Sequence, residues 1–332
     1  MKTINTLMSL TLLLAGSLFA SGQTSGKIFF DHTSDLSENG INAFNLKRAY
    51  LSYGNSVNEN LSYKMTYDIG KNESGSAHTA FLKVAMLKWK TNLGNITMGM
   101  QGVNMFKTME DTWGHRFIQT MPMDTYKFSA SADIGLGLTK SFGSLSTSAL
   151  ITNGGGYKKI ESDSHKKISL HAVYGESQLN KKEGFNLGAS FSYEPYDQDI
   201  IGDFDNDPNT TMPEDSTMIS IENTGVLGLF GGYSGNKIRI GFEFDKKGTL
   251  GKNSQIISAY GTAVLSEKVS VLGRFDQYDE NTDFSGGGEQ YIVVGVLYKA
   301  EKGLNIAPTF RMKTPEGGDA ENSIVVNFQF KF

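Results

Sequence analysis

The sequence predicts an all-β fold, a transmembrane antiparallel up-and-down β-barrel of sixteen strands. Three observations lead to it. Segments of roughly ten residues alternate apolar and polar side chains, the pattern of strands with one apolar and one polar face. The connections between these segments alternate between short and long. A stretch with the features of a secretory leader stands first.

Taken in order, the leader has Lys2 as its basic region and "LMSLTLLLAGSLFA" (Leu7 to Ala20) as its apolar region. Ala20, Ser21 and Gly22 supply the small residues, placing cleavage between Ala20 and Gln23. The apolar run is shorter than the ~20 residues a spanning helix needs, and no later run reaches about 18. Residues 1–22 are therefore expected to be removed, leaving 23–332 as a single barrel domain. The 38 Gly, 6 Pro, 21 Phe and 14 Tyr favour strands with glycine-containing turns. No Cys is present, which excludes disulfides, thiolate metal sites and a cysteine nucleophile. A formal net charge of −4 argues against a nucleic-acid partner held by a basic surface.

The strands follow. In "NKIRIGFEFD", Ile238, Ile240, Phe242 and Phe244 share one face, with Arg239, Gly241, Glu243 and Asp245 on the other. "NLSYKMTYDIG" sets Leu61, Tyr63, Met65, Tyr67 and Ile69 against Ser62, Lys64, Thr66 and Asp68. Sixteen such segments lie near 26–32, 43–54, 60–70, 80–91, 95–105, 127–141, 143–153, 165–176, 184–194, 218–233, 236–246, 253–265, 268–278, 288–299, 303–313 and 322–332. The fourth, tenth, twelfth and fourteenth alternate poorly. Connections after even-numbered strands are short, such as "TNLG" and "SFG"; those after odd strands include 105–126, 154–164, 195–217 and 279–287. Long loops thus leave one end of the sheet and tight turns the other. Such a meander has two edges unless it closes. Sixteen strands enclose a lumen too wide for side chains to fill, so the apolar face must point outward to lipid. Strand lengths suit the ~9–11 residues of a tilted span. A soluble solenoid or propeller would show internal repeats, and only the two-residue period is there. Tyr53, Trp89, Tyr193, Tyr233, Tyr298 and Phe332, near strand ends, suit interfacial girdles.

The alternation nominates a lumen lining: Arg48, Lys64, Asp68, Gln101, Asp133, His171, Arg239, Glu243, Arg274, Asp276, Arg311, Asn327, Gln329 and Lys331. Arg48, Lys64, Arg239, Arg274, Arg311 and Lys331 read either as a basic stripe giving mild anion preference or as charges solvated and paired within the lumen. Arg274 and Asp276, two apart on one strand, can cancel. The third long connection, "FKTMEDTWGHRFIQTMPMDTY", has helical spacing: Trp113, Phe117 and Met121 form an apolar stripe, and Pro122 is expected to end the helix. Packed inside the barrel, it would make Lys107, Glu110, Asp111, His115 and Arg116 constriction charges. The other reading is an external lid.

The stretches "NAFNLKRAYLSYGNSVNENLSYKMTYDIG", "RFDQYDENTDF" and "YIVVGVLYKAEKGLNIAPTFRMK" resemble Gram-negative outer-membrane porins, broadly the phosphate-selective porins of the O and P type. The resemblance implies a passive channel, commonly a homotrimer, whose third long loop enters the lumen. The tandem Arg and Lys patterns of phosphate-selective members are not evident, so no substrate is carried over. Outer-membrane lipid and lipopolysaccharide are the expected surroundings. The terminal Phe332 resembles the signal by which such barrels reach their assembly machinery.

Two further patterns point elsewhere. Asp203, Asp205, Asp207 and Glu214 have the 1, 3, 5, 12 spacing of a calcium loop, but Pro208 occupies the position that needs Gly and no helices flank it. Calcium is the one cofactor that comes into question; the bland reading is a solvated acidic loop. Ser169 and His171 share a strand face with Asp133 within conceivable reach, a spacing common by chance, so no enzyme is expected. A structural or adhesive barrel acting through its external loops is the alternative to a channel.

Overall fold

The computed structural model describes residues 22–72, 74–75, 77–161, 163–201 and 217–332. The leader and the calcium-loop candidates Asp203, Asp205, Asp207 and Glu214 lie outside the described residues. Sixteen strands follow in order: β1 (Gln23–Asp35), β2 (Asn42–Ser56), β3 (Leu61–Lys71), β4 (His78–Thr91), β5 (Gly94–Gly102), β6 (Ala132–Phe142), β7 (Leu145–Thr152), β8 (Lys167–Gly175), β9 (Gly184–Ile201), β10 (Thr217–Gly235), β11 (Ile238–Thr249), β12 (Lys252–Val264), β13 (Val269–Asp279), β14 (Gly288–Glu301), β15 (Leu304–Pro315) and β16 (Glu321–Lys331). Each pairs antiparallel with its neighbours, and β1 pairs with β16 from Lys27↔Lys331 to Asp35↔Ser323, closing the barrel.

Every predicted segment is a strand, with two boundaries moved substantially. β9 runs on to Ile201 rather than ending near 194. β6 starts at Ala132 rather than near 127, because Pro122–Thr125 forms a short helix and the chain turns before rejoining the wall. The hydrophobic alternation is inverted relative to a soluble protein. Phe242 and Leu187 point outward at 53% and 61% exposure, while Asp68 and Asn327 face inward, fully buried. Water inside and lipid outside explain both faces.

Bulges in β2 and β4 interrupt the alternation, and each adds a lysine to the lumen; a third irregularity lies at Lys299/Glu301 near the end of β14. Phe29 and Phe30 pair with Arg48 and Leu46, so Lys47 is the extra residue of β2. Thr66 and Tyr67 pair with Val84 and Leu82, so Lys83 is the extra residue of β4. Lys47 and Arg48 then both face the lumen, as do Lys83 and Val84. A charge on the lipid face would cost roughly 2–4 kcal/mol near the midplane, which the bulges avoid.

The connection between β5 and β6, residues 103–131, folds into the barrel. It carries α1 (Lys107–Trp113) and α2 (Pro122–Thr125). The helix expected to run to Pro122 stops at Gly114, whose φ of 74° supplies a left-handed cap with its N–H on the Glu110 carbonyl. Pro122 instead opens α2, where its fixed φ and missing donor cost nothing. The dry core of the protein is the contact between this loop and the wall. Met105, Met109, Trp113, Phe117, Ile118, Met121 and Met123 pack with Phe29, Val226, Phe230, Ile256, Tyr260, Leu272 and Val293.

Candidate functional site

Three apolar anchors fix the loop inside the lumen. Trp113, Phe117 and Met121 are all buried. Trp113 lies edge-on to Tyr260 (5.8 Å) and donates its indole N–H to the Gln119 carbonyl (3.0 Å). Phe117 reaches Phe29 on β1, 6.3 Å between ring centroids. The wall makes room with glycines. A Cβ on Gly232 or Gly241 would come within 2.7 or 2.8 Å of the Thr112 methyl, so α1 sits closer to β10 and β11 than side chains there would allow.

Cations of the wall moor the loop through its backbone carbonyls. Arg239 donates to Trp113 O (3.0 Å), Arg274 to Thr120 O (2.7 Å) and Arg311 to Ile118 O (2.9 Å). Lys47 donates to the Phe117 and Ile118 carbonyls (3.5 and 3.2 Å). Arg274 is also locked to Asp276, with Nε 2.8 and 2.9 Å from its two oxygens. Arg239, Arg274 and Arg311 therefore hold the loop, and of the two readings of the lumen cations these three follow the paired one. A cation near the C-terminal end of a loop or helix finds carbonyl oxygens already oriented toward it, and alternation alone does not show that a loop covers it.

The charges of the loop pair among themselves. Lys107 bonds Glu110 (3.3 Å) and Asp111 (2.5 Å). Arg116 pairs with Glu110 and with Asp124 (3.0 Å). Burial pushes Glu110 upward, but Arg116 and Lys107 outweigh it and hold the carboxyl below its ordinary range. Burial likewise opposes the charge on Arg116, and Glu110, with Tyr50 and Asp124, more than restores it. Lys107 is the most open of the group, its side chain 61% exposed. His115 differs from the others. It is buried and accepts at Nε2 from Arg239 Nη2 (3.1 Å), with Thr262 Oγ1 2.8 Å away. Burial, then the charges of Arg239 and Lys331, push its pKa down to about 3, so it is a neutral wedge between loop and wall.

Across from the loop, β2–β4 carry a second ionic group. Arg48 and Lys83 both approach the buried Asp68, at 3.3 and 3.5 Å. Tyr157, from the 153–166 connection, donates its hydroxyl to the same carboxylate (2.7 Å). Burial and Asp68 both push the Tyr157 phenol up, so it stays a donor. Asp133 is fixed by the Ile134 and Gly154 amides (2.8 and 2.6 Å), and Gln101 donates to Gly135 O (3.0 Å). Glu243 lies under the loop with its neighbour Asp245, both buried and with no hydrogen-bond partner on their carboxylates among the described residues. His171 Nε2 meets Thr108 Oγ1 (3.0 Å), not the hydroxyl of Ser169, which has no hydrogen-bond partner among the described residues.

Lumen cations free of the loop cluster on β1, β3 and β16. Lys27 stands opposite Lys331 across the closing seam, with Lys64 and Lys107 as further electrostatic neighbours. Lys27, Lys64 and Lys331 are all exposed although they face inward. A cavity of about 670 Å³ at the short-turn ends of β1–β4 includes Ser25, Ser52, Ser62, Lys64 and Lys88 in its lining. Lys27, Lys47, Lys83, Asp124 and Tyr157 were absent from the sequence-derived lining. The adjacent "KR" at 47–48 was the available signal, since both charges can avoid lipid only through a bulge.

No protein-family model matches the chain, and no curated protein matches it in sequence. Solved structures do match in fold. The OmpF protein of Salmonella typhi, solved with daunomycin, superposes with a TM-score of 0.67 at 15% identity, covering 94% of this chain and 97% of that one. An anion-selective porin from Comamonas acidovorans gives a TM-score of 0.67 at 10% identity, over 94% and 99%. The outer-membrane protein OmpT of Vibrio cholerae gives 0.63 at 12% identity, over 94% and 97%. At these identities the likeness is one of fold.

Proposed function

We propose that this chain is an outer-membrane porin, a water-filled channel for passive diffusion of small hydrophilic solutes and ions. The observation that carries this reading is the arrangement of the lumen. A loop is moored against β10–β15 and at Phe29 and Lys47, while exposed polar side chains such as Lys27, Lys64 and Lys331 face inward on β1, β3 and β16. The outward face carries apolar side chains such as Leu136, Leu170, Leu187, Leu229, Ile240 and Phe242, as lipid requires. The proteins it superposes on are outer-membrane porins and channels, which supports the same reading. The finer features implied by the porin resemblance belong to this proposal: a homotrimer, contact with lipopolysaccharide, and delivery to the assembly machinery through Phe332. They also include a constriction bordered by Lys107, Glu110, Asp111 and Arg116, which His115 braces from behind.

Mild anion preference is part of the proposal, with a revised set of residues. Lys27, Lys64 and Lys331 carry it, while the moored Arg239, Arg274 and Arg311 do not. Purified, folded barrels in planar bilayers under a salt gradient test both levels. Stable conducting steps with a reversal potential on the anion side are expected. Silent barrels sink the channel, and a cation-side potential sinks only the preference.

A further inference from the structure

The connection between β8 and β9, residues 176–183, is the long exception among tight turns such as 92–93, 143–144, 236–237 and 302–303 at the same end of the barrel. It turns inward. Leu179 is 1% exposed, and a Cβ on Gly232 would meet both Leu179 Cδ1 (3.0 Å) and the Thr112 methyl (2.7 Å). The turn and α1 therefore share one notch in the wall. Asn180 Nδ2 lies 3.5 Å from Asp111 Oδ1, and its Cβ is 3.2 Å from where a side chain on Gly114 would begin. Asn186, at the start of β9, donates to both Glu176 O (2.9 Å) and Thr112 Oγ1 (3.3 Å), tying turn and helix to one side chain.

The turn is built to hold this shape. Gln178 N donates to Glu176 Oε1 (2.9 Å), and the Lys181 and Lys182 amides donate to Gln178 O (2.9 and 3.1 Å). The Gln178 amide holds the Glu176 carboxyl below its ordinary range, helped by Lys182 at 3.2 Å. A surface turn of ordinary function has no need to bury a leucine against an intruding loop.

We infer that the β8–β9 turn is a second element of the constriction, a brace entering from the short-turn end. Leu179 and Asn180 position α1, and with it Lys107, Glu110 and Asp111, against the open side of the lumen. These two are positioning residues for permeation; they do not border the path themselves. The inference rests on the channel reading for its consequence, but not for its geometry.

The test compares wild type with Leu179→Asp, Leu179→Met and Asn180→Ala as folded barrels in detergent. Hydrogen exchange at the Glu110 and Gly114 amides, which close α1, reads the brace directly. Leu179→Asp is expected to speed exchange there roughly tenfold, Asn180→Ala less, and Leu179→Met not at all. Amides of β13 should be unaffected. In bilayers, Leu179→Asp should raise conductance and add flicker between levels, with Leu179→Met restored to wild type. Exchange at α1 unchanged in both Leu179→Asp and Asn180→Ala overturns the brace, whether or not the barrel conducts. Faster exchange in the variants, together with a wild-type barrel that never conducts, upholds the brace and counts against the channel. Should Leu179→Asp fail to fold, Asn180→Ala alone decides, since it leaves the packed core intact.

Discussion

Removing one mooring cation should release the loop more than it alters ion selectivity, and Arg274 is the sharpest case. It is 3% exposed and faces a carboxylate that is 1% exposed. Arg274→Met deletes both Nε bonds to Asp276, the Nη2 contact at 2.7 Å and the bond to Thr120 O. Asp276 keeps Ser258 Oγ at 2.5 Å but loses its counter-charge. Breaking a buried pair from one side typically costs about 3–5 kcal/mol, because a buried charge is left unpaired. The same free energy is available to a loop that lets water reach Asp276, so its displaced population rises by roughly two to four orders of magnitude. Single-channel recording should show a second, larger conductance level and a nearly unchanged reversal potential. The variant Arg274→Met/Asp276→Asn removes the stranded charge and should recover most of the single level, isolating the pair by the usual cycle logic. A single mutant with wild-type conductance, or a double mutant no better than the single, refutes the mooring role.

Other expectations follow from the same geometry. Lys27→Glu with Lys331→Glu should move the reversal potential toward cations, whereas Arg239→Gln, already bound to Trp113 O, should move it little. Leu82 and Val84 share a face in an unbroken strand, yet the bulge at Lys83 turns Leu82 to lipid and Val84 to the lumen. Leu82→Lys should therefore cost about 2–4 kcal/mol in a folding titration into liposomes, and Val84→Lys much less. His115 is neutral in the fold, with its pKa lowered from 6.5 to about 3. Its contribution is complete above pH 6.5 and is lost as pH falls toward 3, to a ceiling on the order of 5 kcal/mol. Loop release measured between pH 7 and pH 4 should grow with acid, and His115→Gln should flatten that dependence.

The strands were legible because lipid and water impose a period of two that no loop can obscure. Ile238, Ile240 and Phe242 read correctly from "IRIGF" alone. The poor alternation of "FLKVAMLKWK" had a cause that sequence did not expose, since a bulge is a pairing event between Thr66/Tyr67 and their partners across the ladder. The entry of the 103–131 loop into the lumen was signalled by the stripe Trp113, Phe117 and Met121. Its local path was not, because the left-handed Gly114 splits what looked like one helix. Least legible was the division of the lumen cations. Arg239 and Lys331 have the same period and polarity, and only the folded loop separates a mooring from an open charge. The inward β8–β9 turn was equally silent, its Leu179 a single apolar residue among polar neighbours.

The most direct test of the account is solute flux. Liposomes bearing the folded barrel should swell in small neutral sugars and stop swelling above a size limit. That limit should rise when Arg274→Met frees the loop. Folded barrels that admit no solute of any size would contradict the account at its centre.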